Sequence, residues 1–108
     1  MNFEKLAEEI GFDKEEYLEL IELFISTTMS DIDQLRTGVN KGDFTSAERA
    51  AHSIKGAASS LGLSEVSNQA KKIEHAAKED PGAITAPFLD ELESMMNRIR
   101  ENYKAQKG

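Results

Sequence analysis

His52 is one of two histidines in the chain, and the residues after it could support chemistry on its imidazole ring. A neutral imidazole is a nucleophile near physiological pH. Lys55 and Gly56 follow at three and four residues, so on a helix they share the His52 face. The Lys55 ammonium could neutralise an anion attached to the ring, and Ser59 continues this face with a small hydroxyl. The spacing predicts an accessible histidine that tolerates added negative charge.

Gly56 is unusual at this point, because glycine inside a helix costs about 1 kcal/mol relative to alanine. Its missing side chain would leave room for a bulky group or a partner at His52. Close packing against another helix is the alternative reason for a glycine. Gly56 falls on the polar side of the helix, which weakens that alternative.

The helix that carries His52 is predicted from a stripe of mostly small apolar residues on its opposite side. Asp43 can begin this helix, with Thr45 and Glu48 as an alternative capping box, and Gly62 ends it. The stripe predicts that the helix packs deeply and points His52 outward. Its members are Ala47, Ala50, Ala51, Ile54, Ala57, Ala58 and Leu61.

Two helices are predicted before this one. Asn2 can cap a short first helix that Gly11 closes. Asp13 and Glu16 have capping-box spacing and open a long second helix that ends at Gly42. The predicted buried stripe of this long helix is Leu18, Ile21, Phe24 or Ile25, Thr28, Ile32, Leu35 and Val39.

Two further helices follow. Ser64 is predicted to cap the fourth helix, Pro81-Gly82 breaks the chain, and Thr85 with Pro87 begins the last helix. We expect an all-α fold, an up-down-up-down four-helix bundle whose short additional N-terminal helix covers one end. The predicted buried positions of the fourth helix are Val66, Ala70, Ile73 and Ala77. Those of the last helix are Phe88 or Leu89, Leu92, Met95 or Met96, Ile99 and Tyr103.

Length and composition favour a single domain over residues 1–108. Hydrophobic residues make up 39% and charged residues 31%, as in globular proteins. The chain has no cysteine, no signal peptide and no apolar run of membrane-spanning length, so we expect a cytoplasmic protein. A net charge of -7 disfavours nucleic acid and anionic membranes as partners. Because one chain can complete the bundle, we expect a monomer.

The pattern His52-x-x-Lys55-Gly56-x5-Gly62, preceded by Ala50-Ala51, resembles the motif of histidine-containing phosphotransfer (HPt) domains. It is similar to the N-terminal phosphotransfer domain of chemotaxis histidine kinases. Gly42-Asp43 and Ile73-Glu74 strengthen the likeness, which covers the third and fourth helices well and the others by pattern. The start at Met1 favours a stand-alone protein, although a domain cut from a larger kinase would look the same.

The resemblance implies a role for each matching residue. His52 would be the phosphoacceptor, Lys55 would steady the phosphoryl group, and Gly56 would keep the site open. Glu74, 22 residues after His52, matches a position whose side chain can hydrogen-bond the imidazole and fix its tautomer; a solvated flank charge is the equal alternative. Gln69 and Ser59 are weaker candidates for the surroundings of the phosphate.

The function so implied is that of a phosphocarrier in a two-component phosphorelay, which exchanges a phosphoryl group with an aspartate of a response-regulator receiver domain. The chain has no nucleotide-binding motif or metal-ligand pattern, so we expect no cofactor and no enzyme activity of its own. Mg²⁺ would come with the receiver domain and ATP with a histidine kinase. The alternative is a degenerate HPt module that binds such partners without covalent chemistry.

Residues outside the motif have simpler interpretations. Leu20 and Leu23 of the long helix either contact a partner or bury the first helix. His75, the second histidine, is predicted to be a surface residue. Asp31 and Asp33 do not form a metal pair, because residues two apart on a helix point in different directions.

Overall fold

The computed structural model describes residues 1–107, and the predicted domain extends one residue further, to Gly108, which lies outside them. Five α-helices follow one another along the chain, as predicted, and the described residues contain no strand. Their bounds are α1 Phe3–Glu9, α2 Lys14–Lys41, α3 Phe44–Ser60, α4 Ser64–Glu79 and α5 Ala86–Lys107, with a short 3-10 helix at Pro81–Ala83 before α5.

The helix starts follow local capping chemistry. Asn2 accepts a hydrogen bond from the Lys5 amide, and Asp13 and Glu16 form the predicted capping box of α2. Gly42 ends α2 with a left-handed φ of 74°. Asp43 caps α3 by accepting from the Ser46 amide, so Asp43 is the cap rather than the alternative pair further along.

One of the two predicted boundaries around the turn between α3 and α4 is wrong. Gly62 ends α3 as predicted: Ser60 is the last helical residue, Leu61 is the cap, and Gly62 follows with a left-handed φ of 74°. Ser64 is the first helical residue of α4 and does not cap it; Leu63 takes the cap position without a side-chain hydrogen bond. The Ser64 amide donates to the Gly62 carbonyl at 3.1 Å, and the first hydrogen bond of the helix runs from the Ser67 amide to the Leu63 carbonyl.

The core is a single cluster of buried apolar side chains from all five helices. In α2 the buried face differs from the predicted stripe at both ends: Tyr17 and Gly38 are buried, whereas Leu18 and Val39 are half-buried. A Cβ at Gly38 would lie 2.9 Å from the Asp43 carbonyl oxygen and 3.1 Å from the Ala47 amide nitrogen. Glycine therefore lets α2 approach the start of α3 closely.

Small residues bring α3 into the centre of the bundle. Ala47, Ala51, Ile54 and Ala58 have no exposed surface. This packing fixes the roll of α3 about its own axis, and the polar residues of α3 face outward as a consequence.

The short helix α1 covers one end of the bundle. Phe3 is buried and packs against Tyr17, with ring centroids 6.0 Å apart. The Tyr17 hydroxyl donates to the Leu61 carbonyl at 2.5 Å and so ties the start of α2 to the end of α3. No helix within residues 1–107 is long and apolar enough to cross a membrane.

Candidate functional site

His52 lies in the middle of α3 with 67% of its side chain exposed. Its Nδ1 atom is 2.6 Å from Oε2 of Glu74, which comes from the neighbouring helix α4. Among the described residues no side chain or backbone group hydrogen-bonds to Nε2. One ring nitrogen is therefore held and the other faces solvent.

Glu74 also holds Lys55. The Lys55 Nζ atom donates to Oε1 of Glu74 at 2.7 Å, so the two carboxylate oxygens bridge the two residues of α3. Only 17% of the Glu74 side chain is exposed. The hydrogen bond from Lys55 is the main cause that lowers the pKa of Glu74, and the bond to His52 lowers it further, against the effect of burial. Glu74 is thus an ionised carboxylate at neutral pH.

The charge of Glu74 determines which tautomer of His52 is favoured. An ionised carboxylate can only accept hydrogen bonds, so Nδ1 must carry the proton that it shares with Glu74. In a neutral imidazole the lone pair then lies on Nε2, the exposed nitrogen. The arrangement can present a nucleophilic nitrogen to a molecule that approaches from solvent.

Gly56 lies one turn after His52 and is exposed. A Cβ built there would meet nothing within 4 Å. Close packing within this chain is therefore not the reason for a glycine at this point, in contrast to Gly38. The surface beside His52 is open.

The remaining candidate residues are divided between this face and the interior. Ser59 is exposed on α3 one turn beyond Lys55 and makes no side-chain hydrogen bond within the described part of the chain. Gln69 is not brought to the His52 face: its side chain is buried, and Nε2 donates to the Phe88 carbonyl at 3.1 Å. The amide crosses the contact between α4 and α5, because Gln69 lies on the buried face of α4.

The two leucines of α2 have different environments. Leu23 is 62% exposed, so it does not bury α1, whereas Leu20 is half-buried against the core. His75 is exposed, as predicted.

Three contacts around the site are absent from the sequence interpretation. Ser53 donates to Asp31 of α2 at 3.0 Å, and the Ser67 hydroxyl donates to the Lys55 carbonyl at 3.3 Å. The third is the second hydrogen bond of Glu74, to Lys55. Each contact joins residues 12 to 22 positions apart, so a local sequence pattern does not contain it. The one available signal is the i, i+3 spacing of His52 and Lys55, which allows a single carboxylate to reach both side chains.

A protein-family model described as Hpt domain matches residues 19–102. The match includes His52, Lys55, Gly56 and Glu74 and leaves out α1. Neither a search of curated proteins nor a search of solved structures found a match to the chain.

Proposed function

The chain belongs to the Hpt domain family, whose members are phosphocarriers that work with kinases and receiver domains in phosphorelays, and we propose that His52 is its phosphoacceptor. The observation that carries this proposal is the hydrogen bond of 2.6 Å between Nδ1 and Glu74, on a histidine whose other nitrogen is exposed. His75 is also exposed but has no carboxylate contact among the described residues.

In the proposed reaction, Nε2 of His52 attacks the phosphorus of an aspartyl phosphate in a receiver domain. The N–P bond forms as the bond between phosphorus and the aspartate oxygen breaks, and the aspartate leaves as a carboxylate. Because Nδ1 keeps its proton, the phosphorylated ring carries a formal positive charge that the Glu74 carboxylate stabilises. The reverse sequence of steps returns the phosphoryl group to an aspartate.

Lys55 and Gly56 serve the same step. The ammonium of Lys55 is already on the His52 side of the site, where it offsets the negative charge of the incoming phosphoryl group. The open surface at Gly56 admits the partner domain, which must bring its phosphorus within about 3–3.5 Å of Nε2. Ser59 lies further along the same face and would contact the partner.

Other parts of the reaction are assigned to the partners. We propose that the receiver domain supplies Mg²⁺ and that a histidine kinase supplies ATP when it is the donor, so that this chain contributes only the positioned nucleophile and acts as a monomer. No observation favours the degenerate, purely non-covalent alternative, because His52, Lys55, Gly56 and Glu74 are all in place.

The proposal is tested by incubating the protein with a phosphorylated receiver domain, or with a histidine kinase and ATP. We expect the wild type to gain one phosphate that is labile in acid and stable in base, as a phosphoramidate is. His52→Gln should gain none, and the control His75→Gln should match the wild type. Absence of labelling in the wild type with every donor, or equal labelling of His52→Gln, would refute it.

A further inference from the structure

One edge of α4 borders the His52 face along its whole length. Ser67 contacts the Lys55 carbonyl, Glu74 contacts His52 and Lys55, and Lys78 lies 3.7 Å from Glu48 of α3. These positions are spaced by seven and four residues, so they lie in one row on the helix. Lys71, four residues after Ser67 and three before Glu74, falls in the same row. We call Ser67, Lys71, Glu74 and Lys78 the α4 edge.

The α4 edge carries positive charge toward solvent. Lys71 is exposed and has no acidic side chain within 4 Å among residues 1–107, and Lys78 is 62% exposed with one long contact to Glu48. The carboxylate of Glu74 is occupied by His52 and Lys55 and is mostly buried. The ammonium groups of the edge are therefore what an approaching molecule meets.

The rest of the chain has the opposite charge. Residues 1–41 contain ten acidic and four basic residues, a net charge of -6, whereas residues 42–79, which include α3 and α4, contain five of each and are neutral. On α2, Leu23 and Thr27 lie in one row with Asp31, which accepts a hydrogen bond from Ser53 of α3, so this side of α2 carries a single carboxylate. The basic α4 edge and this sparsely charged side of α2 thus flank His52 on its two sides.

We propose, on the basis of the phosphocarrier function above, that Lys71 and Lys78 steer the acidic face of a receiver domain onto His52. A domain that is phosphorylated on aspartate carries an anionic phosphoryl group and holds Mg²⁺ through one or two further carboxylates beside it. A chain of net charge -7 repels the acidic face of a receiver domain from most directions of approach. The α4 edge is the surface that attracts it. The partner therefore docks with its acidic side over α4.

The test uses the receiver domain that loads the wild type fastest in the labelling experiment. The double variant Lys71→Gln/Lys78→Gln is compared with Lys104→Gln/Lys107→Gln, which removes two charges from the far end of α5. The second-order rate constant for phosphotransfer is measured at about 20 mM and about 500 mM NaCl, between which the screening length falls about fivefold. The rate at saturating receiver is measured as well.

We expect the α4 variant to lower the second-order rate constant by about fivefold to tenfold at low salt and by much less at high salt, with an unchanged saturating rate. An effect equal to that of the α5 control would overturn the proposal. A lower saturating rate of the α4 variant would also overturn the proposal, because it would place the lysines in the chemical step. The same holds if the α4 variant slows phosphotransfer from a kinase but not from the receiver domain. If no receiver domain loads the wild type, the steering proposal fails; if no kinase labels it either, the phosphocarrier function fails as well.

Discussion

At the scale of single residues, the site depends on one carboxylate that serves two partners. Glu74 accepts from His52 Nδ1 and from Lys55 Nζ, and both hydrogen bonds involve charge. Such bonds are shorter and stronger than neutral ones, so they define the ring orientation well. Glu74 contacts Nδ1 of His52 and not Nε2, so in the proposed reaction it would act as a positioning residue.

We predict that Glu74→Gln slows phosphotransfer by about tenfold to a hundredfold, which corresponds to losing a hydrogen bond to a charged group. The amide cannot stabilise the positive charge of the phosphorylated ring, and it no longer favours one tautomer. Single-turnover kinetics with a phosphorylated receiver measure the effect, with Glu79→Gln as the control of equal charge. Equal rates in the two variants would contradict a positioning role.

Substitution by alanine is predicted to change the free energy of unfolding in opposite directions at Gly56 and at Gly38. Gly56→Ala should raise the free energy of unfolding by up to about 1 kcal/mol, because helix propensity improves and the methyl group meets nothing. Gly38→Ala should lower it by about 1 kcal/mol or more, because its Cβ would overlap the Asp43 carbonyl. Chemical denaturation measures both.

The larger Gly56→Leu substitution separates fold from function. The side chain projects into solvent, so the helix content should be unchanged, but it would occupy the approach to His52. We expect phosphotransfer to fall by at least roughly tenfold, since displacement of the partner by about 1 Å costs more than that. A folded variant that transfers at the wild-type rate would show that the partner does not approach over this surface.

At the scale of elements, the helix ends that a local cap or a left-handed glycine defines are the most predictable features. Asn2, Asp13 and Gly42 act through contacts with residues no more than four positions away, which a sequence pattern contains. The face of α2 was less predictable, because Tyr17 and Gly38 are not obvious core residues and the apolar period fits two adjacent stripes. Their burial depends on the Leu61 carbonyl and on the close approach of α3.

In the candidate site, the sequence places His52, Lys55 and Gly56 on one face because they share one helix, where spacing determines the face. The contact of Glu74 and the turn of Gln69 toward Phe88 depend on how α4 rolls against α3 and α5, which is decided by tertiary packing.

The hydrogen bond from the Tyr17 hydroxyl to the Leu61 carbonyl, which joins α2 to the end of α3, predicts a specific dependence of stability on pH. Burial, aided by the charge of Glu9, raises the pKa of Tyr17 to about 12 from its ordinary value of 10.0. Well below pH 10 the hydroxyl is protonated in both states. From there to about pH 12 the unfolded chain loses the proton while the folded protein keeps it, so the free energy of unfolding falls.

Tyr17→Phe is therefore expected to be about 1–2 kcal/mol less stable near neutral pH, because the Leu61 carbonyl loses its partner. Its stability should decline less steeply than that of the wild type above pH 10, so the two curves converge. Denaturation at a series of pH values from neutral to about 12 measures this. Parallel curves would contradict the assignment of the shift to Tyr17.

At the scale of the whole molecule, the His52 face and the end covered by α1 are separate. His52 precedes Leu61 by nine residues, a distance of about 13 Å along α3. We predict that Phe3→Ala lowers the free energy of unfolding by about 3–5 kcal/mol, because Phe3 is buried against Tyr17. Phosphotransfer, measured where the variant is still folded, should be unchanged; a large loss of rate would show that α1 supports the site.

Nε2 of His52 is the atom proposed to take the phosphoryl group, and NMR of the phosphorylated protein tests this directly. Coupling between ³¹P and the ring nitrogens of ¹⁵N-labelled histidine distinguishes phosphate on Nε2 from phosphate on Nδ1, and His75→Gln removes the other histidine from the spectrum. We predict a single phosphohistidine at position 52, substituted on Nε2, with the Nδ1 proton retained toward Glu74. Phosphate on Nδ1 of His52, or on His75 in the wild type, would contradict the account.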